Sequence, residues 1–335
     1  MHVMPAEWEE HERTWMAWPA ECQALGDTEE DAHAAYSSWA NVANAIAVFE
    51  PVVMVVDPSD LDSAMEYLDP AVQIIQAPLD DAWMRDMGPT FVWSAQGKVE
   101  AVDWIFNGWG AQAWAKWGKD SQIGKFVAQH VGITRIPSTL TNEGGGIHVN
   151  GQGVVLLTET VQRDPHRNPG MSRGDVEVEL TRTLGVTRFV WLERGLTRDY
   201  DTYGTRGHVD IVACFVSADT VLFHYQQNPE HPDFAVSREV ETKLRAEGFT
   251  VIGVPAPVAL RDDDGEWVDY SYINHYVVNG GVILCGFDDP NDGKAVAILQ
   301  SVYPDRQIVV IDAREIFARG GGIHCITQQQ PKARA

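Results

Sequence analysis

The sequence predicts an α/β chain arranged as a ring of five small modules, and three observations carry that prediction. Apolar, strand-like segments begin at Val72, Ile133, Thr187, Phe249 and Arg306, so successive starts lie 61, 54, 62 and 57 residues apart. After most of them comes a polar or glycine-containing loop, then two short apolar runs joined by a tight turn. Helical patterns fill the intervals that follow. A period of this size belongs to repeat architectures, where each unit buries its apolar face against the next. Inner strands would surround an axis, with helices outside. An ordinary doubly wound sheet is the alternative, and it leaves the recurring hairpins unexplained.

In chain order, "RTWMAWP" from Arg13 reads as a strand, and "SDLDSAMEYL" from Ser59 as a helix. "VQIIQAPL" opens the first unit; its loop "DDAWMRDMGP" leads into the hairpin "TFVWSAQGKVEAVDW", with Gln96-Gly97 at the turn. "DSQIGKFVAQHVG" is helical, and "ITRIPSTL" opens the second unit, whose hairpin "IHVNGQGVVLLTET" turns at Asn150-Gly151. The next helix, "SRGDVEVELTRTLG", has Ser172 placed to cap it, Val176, Leu180 and Leu184 on one face, and Gly185 to end it. "TRFVWLERG" opens the third unit, with a hairpin turning at Ala218-Asp219, and "VSREVETKLRAEG" repeats the helix pattern through Val236, Val240 and Leu244. "FTVIGVPAP" opens the fourth, turning at Asn279-Gly280. "RQIVVIDA" opens the fifth, which has only one further strand, "IHCITQQQP", before the chain ends. The N-terminal "RTWMAWP" is expected to supply the missing partner and close the ring as a single domain over residues 1–335.

Bulk properties narrow the function. The formal net charge is -23, from 48 acidic and 25 basic residues. Such a surface repels phosphate backbones and favours cations, so nucleic acid is not an expected partner and a small cationic molecule is. Runs such as "PVVMVV" are too short to cross a bilayer, and the N-terminal stretch has neither a basic nor an apolar signal region. Cys22, Cys214, Cys285 and Cys325 are scattered without a CxxC pair, which disfavours a disulfide framework or a zinc ribbon. A cytoplasmic location follows as the default expectation, and the oligomeric state stays open, a homo-oligomer included.

The reactive residues fall at equivalent places in the repeat. The loop before each hairpin carries Asp86 in unit one, Glu143 in unit two and His208 with Asp210 in unit three; unit four has the softer "DYSYINH", and unit five ends in Cys325. Rotation about one axis would bring these loops together. On a strand, His208 and Asp210 would face the same side. "GGGIH" occurs at Gly144–His148 and again at Gly320–His324, where missing side chains suit a bend or a close approach. Each residue also has a plainer reading: Cys325 as a small buried hydrophobe, Asp86 in an ion pair with Arg85, His208 as a satisfied turn histidine, and Trp83, Trp104 and Trp109 as packing.

A thiol, an imidazole and two carboxylates in one pocket suit a guanidinium substrate, which is planar, cationic and matched to carboxylates by its fork of N–H groups. The thiolate would add to the central carbon, and the imidazole would protonate the departing nitrogen and then activate water. No metal-ligand spacing such as HExxH is present.

The stretches "MPAEWEEHERTWMAWP", "DDAWMRDMGPTF", "NEGGGIHVNGQG", "GHVDIVACF" and "GGGIHCITQQQP" resemble the agmatine deiminases of the guanidino-group-modifying superfamily, over nearly the whole chain. The resemblance implies a five-bladed α/β propeller (the pentein fold, of ββαβ-type repeats), no cofactor, and conversion of agmatine and water to N-carbamoylputrescine and ammonia in polyamine synthesis. It also implies Cys325 as nucleophile, His208 as general acid and base, Asp86 and Asp210 as the guanidinium-gripping carboxylates, Glu143 in support of His208, and Trp83 as a pocket wall. His148 and His324 then become scaffold. One stretch departs from the family pattern, which has acids ahead of the His-x-Asp. Here Arg198 and Arg206 stand beside Asp199 and Asp201, either opposing a second cation at the mouth or pairing outward with those aspartates. Another guanidine as substrate, an amidinotransferase, a non-catalytic binding module and a metal-dependent hydrolase remain the alternatives.

Overall fold

Five separate sheets make up the β structure of the computed structural model, which describes residues 2–261 and 265–334. Their strands are β1 (His11–Ala17), β2 (Val52–Val56), β3 (Gln73–Gln76), β4 (Thr90–Trp93), β5 (Val99–Ile105), β6 (Thr134–Thr141), β7 (Ile147–Val149), β8 (Val154–Thr158), β9 (Arg188–Leu192), β10 (Ala213–Phe215), β11 (Thr220–Tyr225), β12 (Thr250–Pro255), β13 (Tyr276–Val278), β14 (Gly281–Gly286), β15 (Gln307–Asp312) and β16 (Thr327–Pro331). In four sheets an antiparallel hairpin is followed by a helix and then a third strand, parallel to the second: β4-β5-β6, β7-β8-β9, β10-β11-β12 and β13-β14-β15. That is a ββαβ repeat, but the strands expected to open units two to five lie instead as the last strand of the preceding hairpin's sheet.

The fifth sheet joins the two ends of the chain. β16 pairs antiparallel with β1, from His11 opposite Pro331 to Met16 opposite Thr327, and β1 pairs parallel with β2. The predicted closure is therefore present. This sheet also carries a fourth strand, β3, parallel to β2. The segment expected to open unit one is thus an addition to the closing sheet, reached through the predicted helix, Leu61–Tyr67.

Helix termini follow their local chemistry. Ser172 caps the helix Arg173–Leu184 in a reciprocal capping box with Asp175, Gly185 ends it in the left-handed conformation, and Val176, Leu180 and Leu184 are buried. The helix Asp233–Ala246 buries Val236, Val240 and Leu244 in the same way. The hairpin glycines Gly97, Gly151 and Gly280 all have φ between 73° and 75°, a conformation that costs other residues. Among the described residues, the two longest helices outside the sequence expectations are Glu29–Ala47, capped by Thr28 with Asp31, and Asp292–Val302.

The loops that enter the inner strands form short helical turns: Met84–Met87, Gly144–Gly146, Val209–Ile211 and Tyr272–Asn274. They pack against one another in that order. β16 lies beside β4, and β7 beside β10. One end of every inner strand thereby delivers its preceding loop to a common place.

Candidate active site

Four of the five loops contribute the buried side chains expected at the site. Cys325, just ahead of β16, is 6% exposed, Asp86 3%, Asp210 2%, His208 1% and Glu143 0%, so the residues expected to assemble are in one dry cluster. The Cys325 thiol points to Asp210 Oδ2 at 3.6 Å. His208 Nδ1 lies 3.9 Å from Asp86 Oδ1, and its Nε2 lies 3.3 Å from Glu143 Oε2. His208 caps the turn Val209–Ile211 and Asp210 lies within it, so the two do not share a strand; the inner strand begins only at Ala213. The turn still directs both side chains to the cluster: a β-carbon on Gly145 would collide with His208 Nδ1 and lie 3.1 Å from Asp210 Oδ2.

The two glycine runs are explained by such close approaches. Gly144, Gly145 and Gly146 do not have positive φ. Instead a side chain at Gly144 would strike the Arg85 carbonyl, and one at Gly145 the His208 ring. At Gly321 a β-carbon would lie 2.7 Å from the Trp83 ring and 3.1 Å from Cys325 Sγ. The Trp83 ring and the thiol thus both crowd the space at Gly321. Only Gly320, with φ 118°, is in the glycine-favouring region.

Asp86 is not paired with Arg85. Its Oδ2 accepts from Trp109 Nε1 at 2.8 Å and its Oδ1 from the Gly145 N–H at 3.1 Å. Trp109 has φ 55° between two positive-φ glycines, a strained backbone that turns the indole N–H inward. Arg85 reaches the other way, donating from Nη1 to Gln328 Oε1 and Gln329 Oε1 at 2.9 and 2.8 Å and from Nε to the His324 carbonyl. This accounts for Gln328 and Gln329, which tie β16 to the Asp86 turn, while Gln330 accepts from Trp15 Nε1. Trp104 is packing, its Nε1 bonded to Thr90 Oγ1.

Sequence reasoning missed the supporting shell. Arg167 Nε sits 3.0 Å from both Glu143 oxygens, while its Nη1 reaches Asp164 and its Nη2 the Thr205 carbonyl. Asp199 accepts from the backbone N–H groups of Thr205, Gly207 and His208, shaping the loop that carries the imidazole. Arg206 pairs with Asp164 at 2.8 Å, and Arg198 Nη1 donates to the Trp267 carbonyl. The outward pairing with Asp199 and Asp201 is replaced by these contacts, since Asp199 is occupied by backbone donors. Below the thiol, His324 bridges Asp210 Oδ2 at 2.8 Å and Glu7 Oε2 at 3.1 Å, and His148 lies 3.5 Å from the same Glu7 oxygen. The two "GGGIH" histidines are thus supports, anchored by the N-terminal "PAEWEE" motif.

Protonation is polarised. Burial pushes Asp86 up to about 6, helped by the neighbouring Glu143 and Asp210 charges and opposed by His208. Burial would lower His208, but Asp86, Glu143 and Asp210 outweigh it and raise its pKa to about 9. Burial also raises Asp210, yet the His324 hydrogen bond and charge bring it below the usual carboxylate value. Glu143 is lowered against its burial by Arg167 and His208. The Cys325 thiol is pushed well above its ordinary value by burial and then by the Asp210 and Asp86 charges. Near neutral pH this site holds an imidazolium, ionised carboxylates and a protonated thiol. A cation beside the sulfur would reverse the last of these.

Asp210 Oδ1 and His208 Nδ1 are buried without a hydrogen-bond partner. A cleft of about 910 Å³ is lined in part by Asp80, Asp81, Trp114, Tyr203 and Arg319; the five clustered residues are not among its lining, and Trp114 is its link to them through Trp109 and Asp86. Trp114 stacks on Trp109 at its inner edge. Among the described residues no group of three or more His, Cys, Asp or Glu side chains is arranged to hold a metal ion, and no helix is long and apolar enough to cross a membrane.

A five-unit α/β ring with a thiol, an imidazole and paired carboxylates at the meeting point of its loops defines a pentein of the guanidino-modifying class. The comparisons agree. A family model described as Porphyromonas-type peptidyl-arginine deiminase matches residues 3–331. A Streptomyces coelicolor relative, provisionally named an agmatine deiminase, is 53% identical over 98% of this chain and 98% of its own. The agmatine deiminase of Ectopseudomonas mendocina is 36% identical over 98% of this chain and 95% of its own. The solved agmatine deiminase of Enterococcus faecalis superposes with a TM-score of 0.90 at 30% identity, covering 99% of this chain and 96% of that one. The chain belongs to the Porphyromonas-type peptidyl-arginine deiminase family.

Proposed function

We propose that the protein hydrolyses agmatine to N-carbamoylputrescine and ammonia, in polyamine synthesis from arginine, through a covalent intermediate on Cys325. The observation that carries this reading is the pairing of a buried thiol with two carboxylates, one of which keeps a free oxygen. Asp86 and Asp210 offset the guanidinium charge and hold its plane. With that cation in place the Cys325 thiolate is favoured and adds to the central carbon, the C=N electron pair moving to nitrogen. His208, protonated at neutral pH, gives its proton to the departing amine, which leaves as ammonia. The neutral imidazole then takes a proton from water as the hydroxide adds to the amidino carbon. Collapse expels the thiolate and releases the urea-type product. Glu143, held by Arg167, orients His208, and Trp83 walls the pocket.

The substrate assignment draws on the names of the relatives and on the charge of the cleft. Arg206 is engaged by Asp164, while Glu21, Asp27, Asp31, Asp80, Asp81 and Glu315 outnumber Lys116 and Arg319 among the lining residues. That balance suits a substrate with a second cation and disfavours one ending in a carboxylate. We take residues 1–335 as one catalytic domain acting in the cytoplasm. Ammonia release should be measured with agmatine, free arginine, peptidyl-arginine and small guanidines. Agmatine is expected to give the highest kcat/KM; turnover of arginine with none of agmatine would overturn the substrate, and release that requires an added amine would indicate an amidinotransferase.

A further inference from the structure

The fourth unit, whose loop looked chemically soft, places Asn274 against the reacting sulfur. Asn274 is wholly buried at the end of the turn Tyr272–Asn274. Its Nδ2 donates to Cys325 Sγ at 3.3 Å and lies 3.3 Å from the Asp210 carbonyl oxygen. Its Oδ1 accepts the His324 N–H at 3.0 Å and lies 3.5 Å from Sγ. The amide is oriented from both ends: the His324 N–H can only donate and the Asp210 carbonyl can only accept, so nitrogen and oxygen are not interchangeable. Ser271 Oγ holds the turn, accepting from the Ile273 N–H and donating to the Ile211 carbonyl. Gly322 makes the approach feasible, because a β-carbon there would collide with Asn274 Oδ1. The third glycine of the run ahead of Ile323 is thereby explained.

We propose that Asn274 is a catalytic residue, its side-chain N–H stabilising the Cys325 thiolate on which the reaction depends. This rests on the reading of Cys325 as the nucleophile. The other side chain within reach of the sulfur among the described residues is Asp210, a carboxylate that opposes ionisation. When the S–H bond breaks, the electron pair stays on sulfur and the proton is released to bulk solvent. The Oδ1 contact with the thiol proton is then lost, and the Nδ2–H contact becomes a charge-assisted hydrogen bond. The group is preorganised, so no reorientation is needed as the charge develops.

The test is the pH dependence of Cys325 alkylation by iodoacetamide, followed by peptide mapping in the full-length protein, with kcat/KM measured in parallel. In Asn274→Ala the apparent thiol pKa is expected to rise by about one unit, so alkylation at a fixed lower pH slows roughly tenfold, and kcat/KM falls about 10²-fold. Asn274→Asp keeps the shape but removes the donor, and should raise the thiol pKa at least as far; it carries the test if the alanine variant does not give a native near-ultraviolet circular dichroism spectrum. Folded variants with the wild-type alkylation profile and kcat/KM within threefold would overturn the proposal. Alkylation requires no guanidine, so a wrong substrate assignment would leave this result untouched.

Discussion

Asp86 and His208 illustrate how neighbouring charges separate two pKa values in one dry pocket. Asp86 must be ionised to hold a guanidinium, and its pKa of about 6 sets an acid limb; His208 must be protonated to release ammonia, and its pKa of about 9 sets an alkaline limb. The profile of log kcat/KM against pH is therefore expected to rise through about 6, to keep rising while the Cys325 thiol of the free enzyme ionises, and to turn down above about 9. A rate that kept climbing beyond pH 10 would assign the limiting proton to another group. Arg167 shows the cost of burying such charges. It is fully buried with Glu143 and Asp164, so Arg167→Met leaves Glu143 with His208 as its remaining charged partner and Asp164 with Arg206. A destabilisation of about 3–5 kcal/mol is expected in urea unfolding, together with loss of activity through Glu143. A change below about 1 kcal/mol would mean that the pair is dispensable.

Among the elements, the glycine-run turns carry the sharpest prediction. Gly145→Ala puts a methyl group where the His208 ring stands, so kcat should fall at least about 10²-fold through misplacement of the imidazole. Gly132→Ala is the contrasting case: nothing lies within 4 Å of a β-carbon there, and only the left-handed backbone is strained, so stability should drop while kcat holds. Equal kcat losses in both would refute the close-approach account. These elements also show what could be read in advance. The helix Arg173–Leu184 was legible because its cap, stop and apolar stripe are all local. The helix Glu29–Ala47 was not, because alanine and serine dilute its apolar face, although its Thr28–Asp31 capping box was a usable signal. The turn at Val209–Ile211 was read as strand because a two-residue spacing is compatible with both.

Across the whole molecule, symmetry made the site readable. Recurrence placed Asp86, Glu143, His208, Asp210 and Cys325 at one repeat position, and the fold brings them together. Arg167, Glu7 and Asn274 escaped because they come from other repeat positions or carry no distinctive chemistry until a neighbour gives them a role. The net charge of -23 acts at the same scale. Attraction of a cationic guanidine should make kcat/KM fall as sodium chloride is raised from 10 to 300 mM, while kcat changes little; an unchanged kcat/KM would show that the field does not steer the substrate. The central claim is that a ring of five loops builds one covalent deiminating centre on a single sulfur. Acid quenching of the enzyme during agmatine turnover, followed by intact-mass and peptide mapping, tests it most directly. The account predicts an amidino adduct on the Cys325 peptide alone and neither adduct nor ammonia with Cys325→Ala; ammonia release that persisted in that variant would contradict it.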